Sequence, residues 1–271
     1  MEAAVLELIQ VGKAYGRRAL FRNVSLALRR GQCLALTGRN GAGKSTILRI
    51  AAGLTSATEG EVRRGAGISI GYVPEHFPRL GLTARQIMRH MGAIEGLDRD
   101  GIAEGMRLVS DFFMEDLIDL PMGRLSKGTL QKVAVVQALI KPRDLLILDE
   151  PLSGQDAKSQ EAFIRKVLER KRAGAAVLLG CHEPYLVERL ADGAYRLDEA
   201  GLSPVGLPER APRALLAYEP DSDAQLPAFV RCCRRDGRLI ASVPKEKCDR
   251  LIVDMIERGY SLREMRDDDG L

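Results

Sequence analysis

An apolar run, Cys33-Leu34-Ala35-Leu36, gives way to Gly38-Arg39-Asn40-Gly41-Ala42-Gly43-Lys44-Ser45, and helix-forming residues follow from Lys44 onward. This order constrains the chain more than any other feature it has. The apolar run is short and unbroken, as a strand buried on both faces requires. The glycines allow the backbone to curve and approach a ligand where side chains would block it. Backbone N–H groups and the N-terminus of the next helix then converge with partial positive charge. The pattern G-x-x-x-x-G-K-[ST] is met in full, with a strand before it and a helix after it, the setting in which such a loop cradles phosphates. Average composition delivers the bare pattern in roughly one chain of this size per hundred, and the setting makes it rarer. Gly38, Arg39, Asn40, Gly41, Ala42, Gly43, Lys44, Ser45 and Thr46 are therefore the expected phosphate contacts. Lys44 is expected on the β- and γ-phosphates of a nucleoside triphosphate, and Ser45 on Mg²⁺. The helix is predicted from about Lys44 to Ala52, with Gly53 as its C-terminal cap.

A phosphate loop of this kind needs a second, acidic position for the metal. Leu145-Leu146-Ile147-Leu148 leads into Asp149 and Glu150. An apolar strand ending in two carboxylates puts negative charge at the C-terminal edge of a sheet, where α/β proteins bind ligands. Asp149 is expected to hold Mg²⁺, and Glu150 to polarise the attacking water as general base. Taken alone, two acids ending a strand are an ordinary solvated terminus; the glycine loop gives them their meaning.

Elsewhere, residues 5–9 and 25–28 read as strands around a turn near Gly16, and 68–73 as a strand stopped by Pro74. Residues 83–120 are helix-rich, with Met88, Met91, Ile94 and Leu97 at helical spacing as a core stripe. Residues 176–179 form another buried strand. Strands alternating with helices predict a mainly parallel sheet, and the early strands an antiparallel addition to it. Between 203 and 212 the chain turns rich in Pro, Gly and Arg, which predicts a domain boundary. Beyond it, 214–218, 238–243 and 261–265 read as strands and 245–258 as a helix, a small α+β appendix. Hydrophobic residues make up 45% and charged residues 29%, a globular balance, and no apolar stretch reaches bilayer-spanning length. The acidic start, without a basic leader, is not a signal peptide. The five cysteines have no CxxC spacing and are read as reduced thiols, which favours the cytoplasm. A zinc site at Cys232, Cys233 and Cys248 is conceivable, but adjacent cysteines match no common ligand spacing, which favours reduced thiols. The net charge of +4 reads as a solvated surface.

Further segments in fixed order make residues 5–198 resemble the ABC (ATP-binding cassette) ATPases. Leu125-Ser126-Lys127-Gly128-Thr129 is similar to the family signature, written LSGGQ, with Lys127 in place of a Gly and Thr129 in place of the Gln. Ser126 and Gly128, which in the family meet the γ-phosphate, are kept; Ser126 also suits the N-cap of the apolar helix that runs to Ile140. Ser153-Gly154-Gln155-Asp156 resembles the D-loop, which implies a nucleotide-side role for Asp156. His182 matches the switch histidine, between Glu150 and the γ-phosphate, and Tyr15 matches the aromatic that stacks on adenine. In Tyr72-Val73-Pro74-Glu75, Glu75 stands where the family has a Gln metal ligand and adds negative charge. The resemblance implies an α/β P-loop NTPase fold of the ABC type, with an antiparallel β subdomain and a helical subdomain at about 76–140. The cassette would occupy 1–203, and a C-terminal α+β accessory domain 213–271. It implies an ATPase that uses ATP and Mg²⁺, works in a dimer with a second cassette (a homodimer is expected), and lies on the cytoplasmic face of a membrane. A separate membrane subunit would form the pathway, and no nucleic acid is expected. The YVPE and LSKGT forms and residues 82–88 look like the drug- and antibiotic-export branch, which implies export. The alternative is a soluble ABC ATPase acting on DNA or ribosomes. The DNA-acting members carry long coiled coils between loop and signature, and only about 80 residues, 45 to 125, separate them here without sustained heptads. The ribosome-acting members usually carry two cassettes, and this chain has one.

Overall fold

The computed structural model describes residues 4–207, 213–219, 230–235 and 238–267. The backbone divides into two compact units, residues 1–207 and 208–271. Of the expected linker, residues 208–212 lie outside the described residues.

The first unit runs β1 (Leu6–Tyr15), β2 (Arg18–Leu28), β3 (Cys33–Thr37), α1 (Lys44–Ala52), β4 (Glu59–Arg64), β5 (Ile70–Val73), α2 (Ala84–Ile94), α3 (Arg99–Asp111), α4 (Lys127–Leu139), β6 (Leu145–Asp149), α5 (Ala157–Arg172), β7 (Ala176–Gly180), α6 (Pro184–Leu190), β8 (Gly193–Asp198) and β9 (Gly201–Val205). β2, β1 and β4 form an antiparallel sheet in that order. β1 and β2 run well past the expected residues 5–9 and 25–28. They do so across irregularities in the pairing, at which Gln10 (φ 49°) and Asn23 (φ 52°) take left-handed backbone. A bulge lets paired strands coil and continue, and the Gln10 N–H it frees is taken up by Ser25 Oγ at 2.9 Å.

The main sheet has the order β5-β6-β7-β3-β8-β9, parallel except for the last pair. Its central strands are apolar throughout because both faces are covered. Leu34, Leu36, Leu145, Ile147 and Leu178 pack with α1 and with Leu6, Leu8 and Phe21 of the antiparallel sheet. Ala35, Leu146, Leu148, Val177 and Leu179 face the opposite way, into a core with Val133 and Val136 of α4 and Phe163 and Ile164 of α5. β9 carries Ser203, Pro204 and Val205, which the sequence placed at the start of the boundary. It is an edge strand, where a proline's missing N–H interrupts no ladder.

α2 starts in a reciprocal cap: Thr83 Oγ1 accepts from Gln86 N at 3.2 Å, and Gln86 Oε1 accepts from Thr83 N at 2.8 Å. The expected stripe holds only in part. Met88 is buried, and Met91 and Leu97 pack on the core, but Ile94 is 76% exposed. Steps of three residues turn about 300° each on a helix, so Ile94 sits about 120° away from Met88. Leu97 returns to the core because it follows the end of α2.

The second unit has β10 (Arg213–Glu219), β11 (Arg231–Arg235), β12 (Arg238–Pro244), α7 (Cys248–Glu257) and β13 (Ser261–Asp267). Its antiparallel sheet has the order β11-β12-β10-β13. Ala214, Leu216, Tyr218, Leu239, Ala241 and Val243 pack with Leu251 and Met255 of α7 into a core of its own. The helix expected over 245–258 begins as a 3-10 turn, Lys245–Lys247, and becomes α-helical at Cys248. Cys33, Cys181 and Cys248 are buried free thiols and Cys232 is exposed. Among the described residues no group of three ligating side chains includes a cysteine.

Candidate active site

Strand order creates the site. β6, β7 and β3 are neighbours and parallel, so their C-terminal ends open on one edge of the sheet. The loop after β3 is the glycine run. The residues ending and following β6 are Asp149 and Glu150, and those following β7 are Cys181, His182 and Glu183.

Gly43 enters α1 at φ 103°, and a Cβ there would lie 2.8 Å from Phe21 Cδ1. The loop is thus pressed against β2, and only glycine fits. Arg39, Asn40 and Gly41 are exposed, and Ala42, Gly43, Ser45 and Thr46 half-buried. Lys44 is 7% exposed, and its Nζ donates to the Gly38 carbonyl at 2.9 Å, which holds the ammonium over the loop. Gly53 closes α1 at φ 78° with left-handed backbone, as expected.

Ser45 Oγ donates to Asp149 Oδ1 at 3.1 Å. Asp149 is fully buried, and its Oδ2 has no hydrogen-bond partner among the described residues. Burial pushes its carboxyl up to about 6; the charges of Glu75 and Glu150 add to this, and the Ser45 hydrogen bond opposes it. A buried carboxylate oxygen without a donor, beside a serine hydroxyl, is an oxygen donor set that fits a hard cation such as Mg²⁺. Glu75 is half-exposed, 3.7 Å from His76 Nδ1, and close enough for its charge to act on Asp149.

Glu150 has φ 46°, a left-handed backbone that a non-glycine residue adopts at a cost of about 1–3 kcal/mol. Its N–H donates to the Gly180 carbonyl at 2.8 Å, which pins it to β7. Its Oε2 lies 2.8 Å from His182 Nδ1. The Glu150 carboxylate holds the His182 imidazole above its ordinary pKa. Burial and the charge of Glu150 raise Glu183, and burial pushes the Cys181 thiol up to about 12, so it stays neutral.

Ser126 caps α4: its Oγ accepts from Thr129 N at 3.1 Å. Gly128 is buried where a Cβ would lie 1.9 Å from the Gly154 carbonyl oxygen, so the signature segment rests directly on the loop ahead of Asp156. Asp156 caps α5 through Ser159 N at 2.9 Å and accepts from Lys132 Nζ at 2.7 Å. Burial opposes its ionisation, but Lys132 and the two Ser159 donors hold the carboxyl well below the usual range. Its partners are therefore all internal to the chain. Tyr15 stands 62% exposed at the end of β1, with Lys13 Nζ 5.0 Å from its ring centroid.

Gln131 was missed from sequence. It is buried, and its Nε2 donates to the Pro74 carbonyl at 2.8 Å and to the Glu150 carbonyl at 3.4 Å. It ties α4 to the segment before Glu75 and to the Glu150 backbone. The available signal was a glutamine set among the buried apolar residues of α4. Glu183 went unremarked because it reads as one more surface acid.

A parallel sheet with a glycine loop entering a helix, and an acid-ended strand two places away, defines a P-loop nucleotide-binding protein. A family profile described as ABC transporter matches residues 21–153. The chain is 35% identical over 208 residues to the zinc import ATP-binding protein ZnuC of Halorhodospira halophila, covering 75% of this chain and 78% of that one. It is 30% identical over 242 residues to ZnuC of Pseudomonas aeruginosa strain UCBPP-PA14, covering 89% and 84%. A solved ATP-binding subunit of an ABC transporter superposes with a TM-score of 0.67 at 29% identity, over 75% of this chain and 90% of that one. A nucleotide-free ATP-binding cassette superposes at 0.64 with 19% identity, a likeness of fold alone. The chain belongs to the ATP-binding subunits of ABC transporters, and it is an ATP-binding ATPase. The family implies a membrane permease and a paired cassette as partners, and no helix among the described residues is long and apolar enough to cross a membrane. One expectation is corrected. The export-branch resemblance rested on residues 72–75, 82–88 and 125–129, whereas the relatives matched over 208 and 242 residues are zinc import ATP-binding proteins, so the export branch is not supported.

Proposed function

We propose that the chain is the ATP-hydrolysing motor of a membrane transporter, working through a separate permease at the cytoplasmic membrane face. The observation that carries this is the meeting of the glycine loop, Asp149–Glu150 and His182 at the ends of three adjacent strands. In this reading the loop from Gly38 to Thr46 wraps the phosphates, with Lys44 as the cation on the β- and γ-oxygens. Ser45 and Asp149 would hold Mg²⁺, and Glu75, whose charge acts on Asp149, is a candidate further ligand. When bound, the ion would supply charge neutralisation at the phosphates. Glu150 takes the proton of the attacking water, and His182 orients Glu150 and donates towards the γ-phosphate. Tyr15 offers its open ring face to adenine. Ser126 and Gly128 face the nucleotide of a second copy of the chain, and Asp156 acts by fixing the loop beneath Gly128 rather than by touching nucleotide.

The zinc-import relatives favour uptake over export, and zinc as the first cargo to assay. The second unit, with its own core, acts as an accessory domain in dimer contact, regulation or choice of permease. The test has two stages. ATP hydrolysis by the purified chain is expected to require Mg²⁺ and to collapse in Lys44→Ala, with the fold retained by circular dichroism. The chain is also expected to co-purify with a permease and to drive ATP-dependent uptake in vesicles. Unchanged turnover and nucleotide affinity in Lys44→Ala would overturn the site; ATP-driven efflux would overturn the direction.

A further inference from the structure

Glu150, His182 and Glu183 each present a ligating atom, and all three atoms lie within 4.8 Å of one another. They come from two adjacent strand ends, held in register by the Glu150 N–H bond to the Gly180 carbonyl. Glu150 is 9% exposed, with Oε2 turned towards the cluster, 2.8 Å from His182 Nδ1. Glu183 Oε2 is buried and meets no hydrogen-bond donor among the described residues. Hydrolysis as read above uses Glu150 and His182 but gives Glu183 nothing to do. Nor is Glu183 needed as a helix cap: it precedes α6 without any side-chain cap bond.

Two carboxylates share one imidazole here, with the Lys44 ammonium close enough to act on His182, yet Glu183 Oε2 still meets no donor among the described residues. A dication resolves that. The donor set chooses among dications, because imidazole with carboxylates suits zinc, copper or nickel, whereas magnesium favours oxygen and water in octahedral order. Bonds to zinc of about 2.0–2.2 Å place tetrahedral ligands about 3.4 Å apart, so the three atoms need only small movements. The His182 side chain is 64% exposed, which gives both freedom to adjust and access from solvent.

We infer that Glu150, His182 and Glu183 form a binding site for a zinc-like transition-metal ion, distinct from the Mg²⁺ position at Ser45 and Asp149, and that filling it halts ATP hydrolysis. The halt follows because the metal occupies the Glu150 oxygen and the His182 nitrogen that hydrolysis needs. That consequence rests on the reading of Glu150 as general base; the binding itself does not.

The experiment titrates the full chain with Zn²⁺ by calorimetry and with Co²⁺ by visible absorption, both without nucleotide. The parent is expected to bind one ion through nitrogen and oxygen ligands, without the near-ultraviolet charge-transfer band of a cobalt–thiolate bond. Glu183→Ala should weaken binding by roughly tenfold or more, since even outer-shell losses cost that much. Its basal Mg-ATPase should persist, and the zinc concentration that inhibits it should rise in proportion. Asp149→Asn should leave Co²⁺ binding unchanged. Binding that survives both Glu183→Ala and His182→Ala, or that carries a thiolate band, overturns the site. Binding lost in Glu183→Ala, with parental turnover indifferent to zinc, upholds the site and removes Glu150 from the chemistry.

Discussion

Replacing Asp149 with Asn is expected to make the chain more stable and less able to use Mg-ATP. Burial raises the Asp149 carboxyl from 3.8 to about 6. The folded chain therefore binds this proton more tightly than the unfolded chain does. Well below pH 3.8 the group is protonated in both states and costs nothing, and the cost builds between 3.8 and 6, where the unfolded chain ionises first. As pH rises through 6, the folded state comes to hold a buried charge that the unfolded state keeps in water. The cost reaches about 3 kcal/mol at neutral pH, an upper bound that ignores relaxation. Asn has the same shape and keeps an acceptor for Ser45 Oγ, the one donor recorded at Oδ1. Urea unfolding of parent and Asp149→Asn should be compared in EDTA at pH 7.5 and at pH 4.5. The variant's advantage should be largest at pH 7.5, up to about 3 kcal/mol, and should fall to about 1 kcal/mol at pH 4.5. With Mg-ATP the order should reverse, because the parent gains linkage stabilisation and the variant loses most of it. A variant no more stable than the parent at pH 7.5 in EDTA would refute the burial cost. A variant stabilised equally by Mg-ATP would refute Asp149 as the metal's ligand.

Glu150→Gln should bind Mg-ATP but hydrolyse it about 100-fold or more slowly, because the amide cannot accept the water's proton. The trapped nucleotide should appear as an ATP-dependent mass increase in light scattering, and parental turnover would exclude Glu150 as the base. Gly128→Ala puts a Cβ 1.9 Å from the Gly154 carbonyl. It should cost about 1–3 kcal/mol and depress turnover more than single-site ATP binding, read by denaturation and nucleotide titration. A chain ending at Pro212 should fold and keep its Mg-ATP thermal shift, because the second unit packs its own core; an insoluble product would place that unit in the main core.

Whatever depends on local pattern was legible before the structure. The loop, α1 from about Lys44 to Ala52, its Gly53 cap, and β6 and β7 to within a residue all follow from apolar runs and glycine positions. The Ser126 cap followed from residue type. Elements whose sequence is amphipathic or charged were harder to read. β4 is Glu59-Gly60-Glu61-Val62-Arg63-Arg64, exposed except for Val62, and its pairing with β1 is a tertiary fact. β11 reads as Arg and Cys residues until β12 supplies its ladder. In the site, strand order brings Ser45 to Asp149 and Glu150 to His182, but the neighbours that hold such residues in place are not legible in the sequence. Gln131 matters through carbonyls 57 and 19 residues away, and Asp156 through Lys132 and Ser159, separations that no local pattern encodes.

Two aspartates at opposite ends of one strand locate the site without any motif. Asp144 precedes β6 and Asp149 ends it. Asp144 accepts from Ser69 N at 3.0 Å, Arg30 at 2.8 Å and Ser69 Oγ at 2.8 Å, and these hold its carboxyl down at about 2. Asp149 has Ser45 and a bare oxygen, and stands near 6. The residue type and the strand are the same, so the difference lies in what the sheet puts around each end. At the N-terminal end both carboxylate oxygens are answered and the charge stabilises the fold. At the C-terminal end a carboxylate is buried unanswered, its neighbour Glu150 is held in left-handed backbone, and Glu183 keeps a buried oxygen without a donor. Folding alone would not retain three such costs side by side, since ordinary substitutions relieve each of them. Their concentration at the strand ends that face the glycine loop is what a bound cation and phosphate would offset, and it marks the same place that the sequence pattern marks by a separate route.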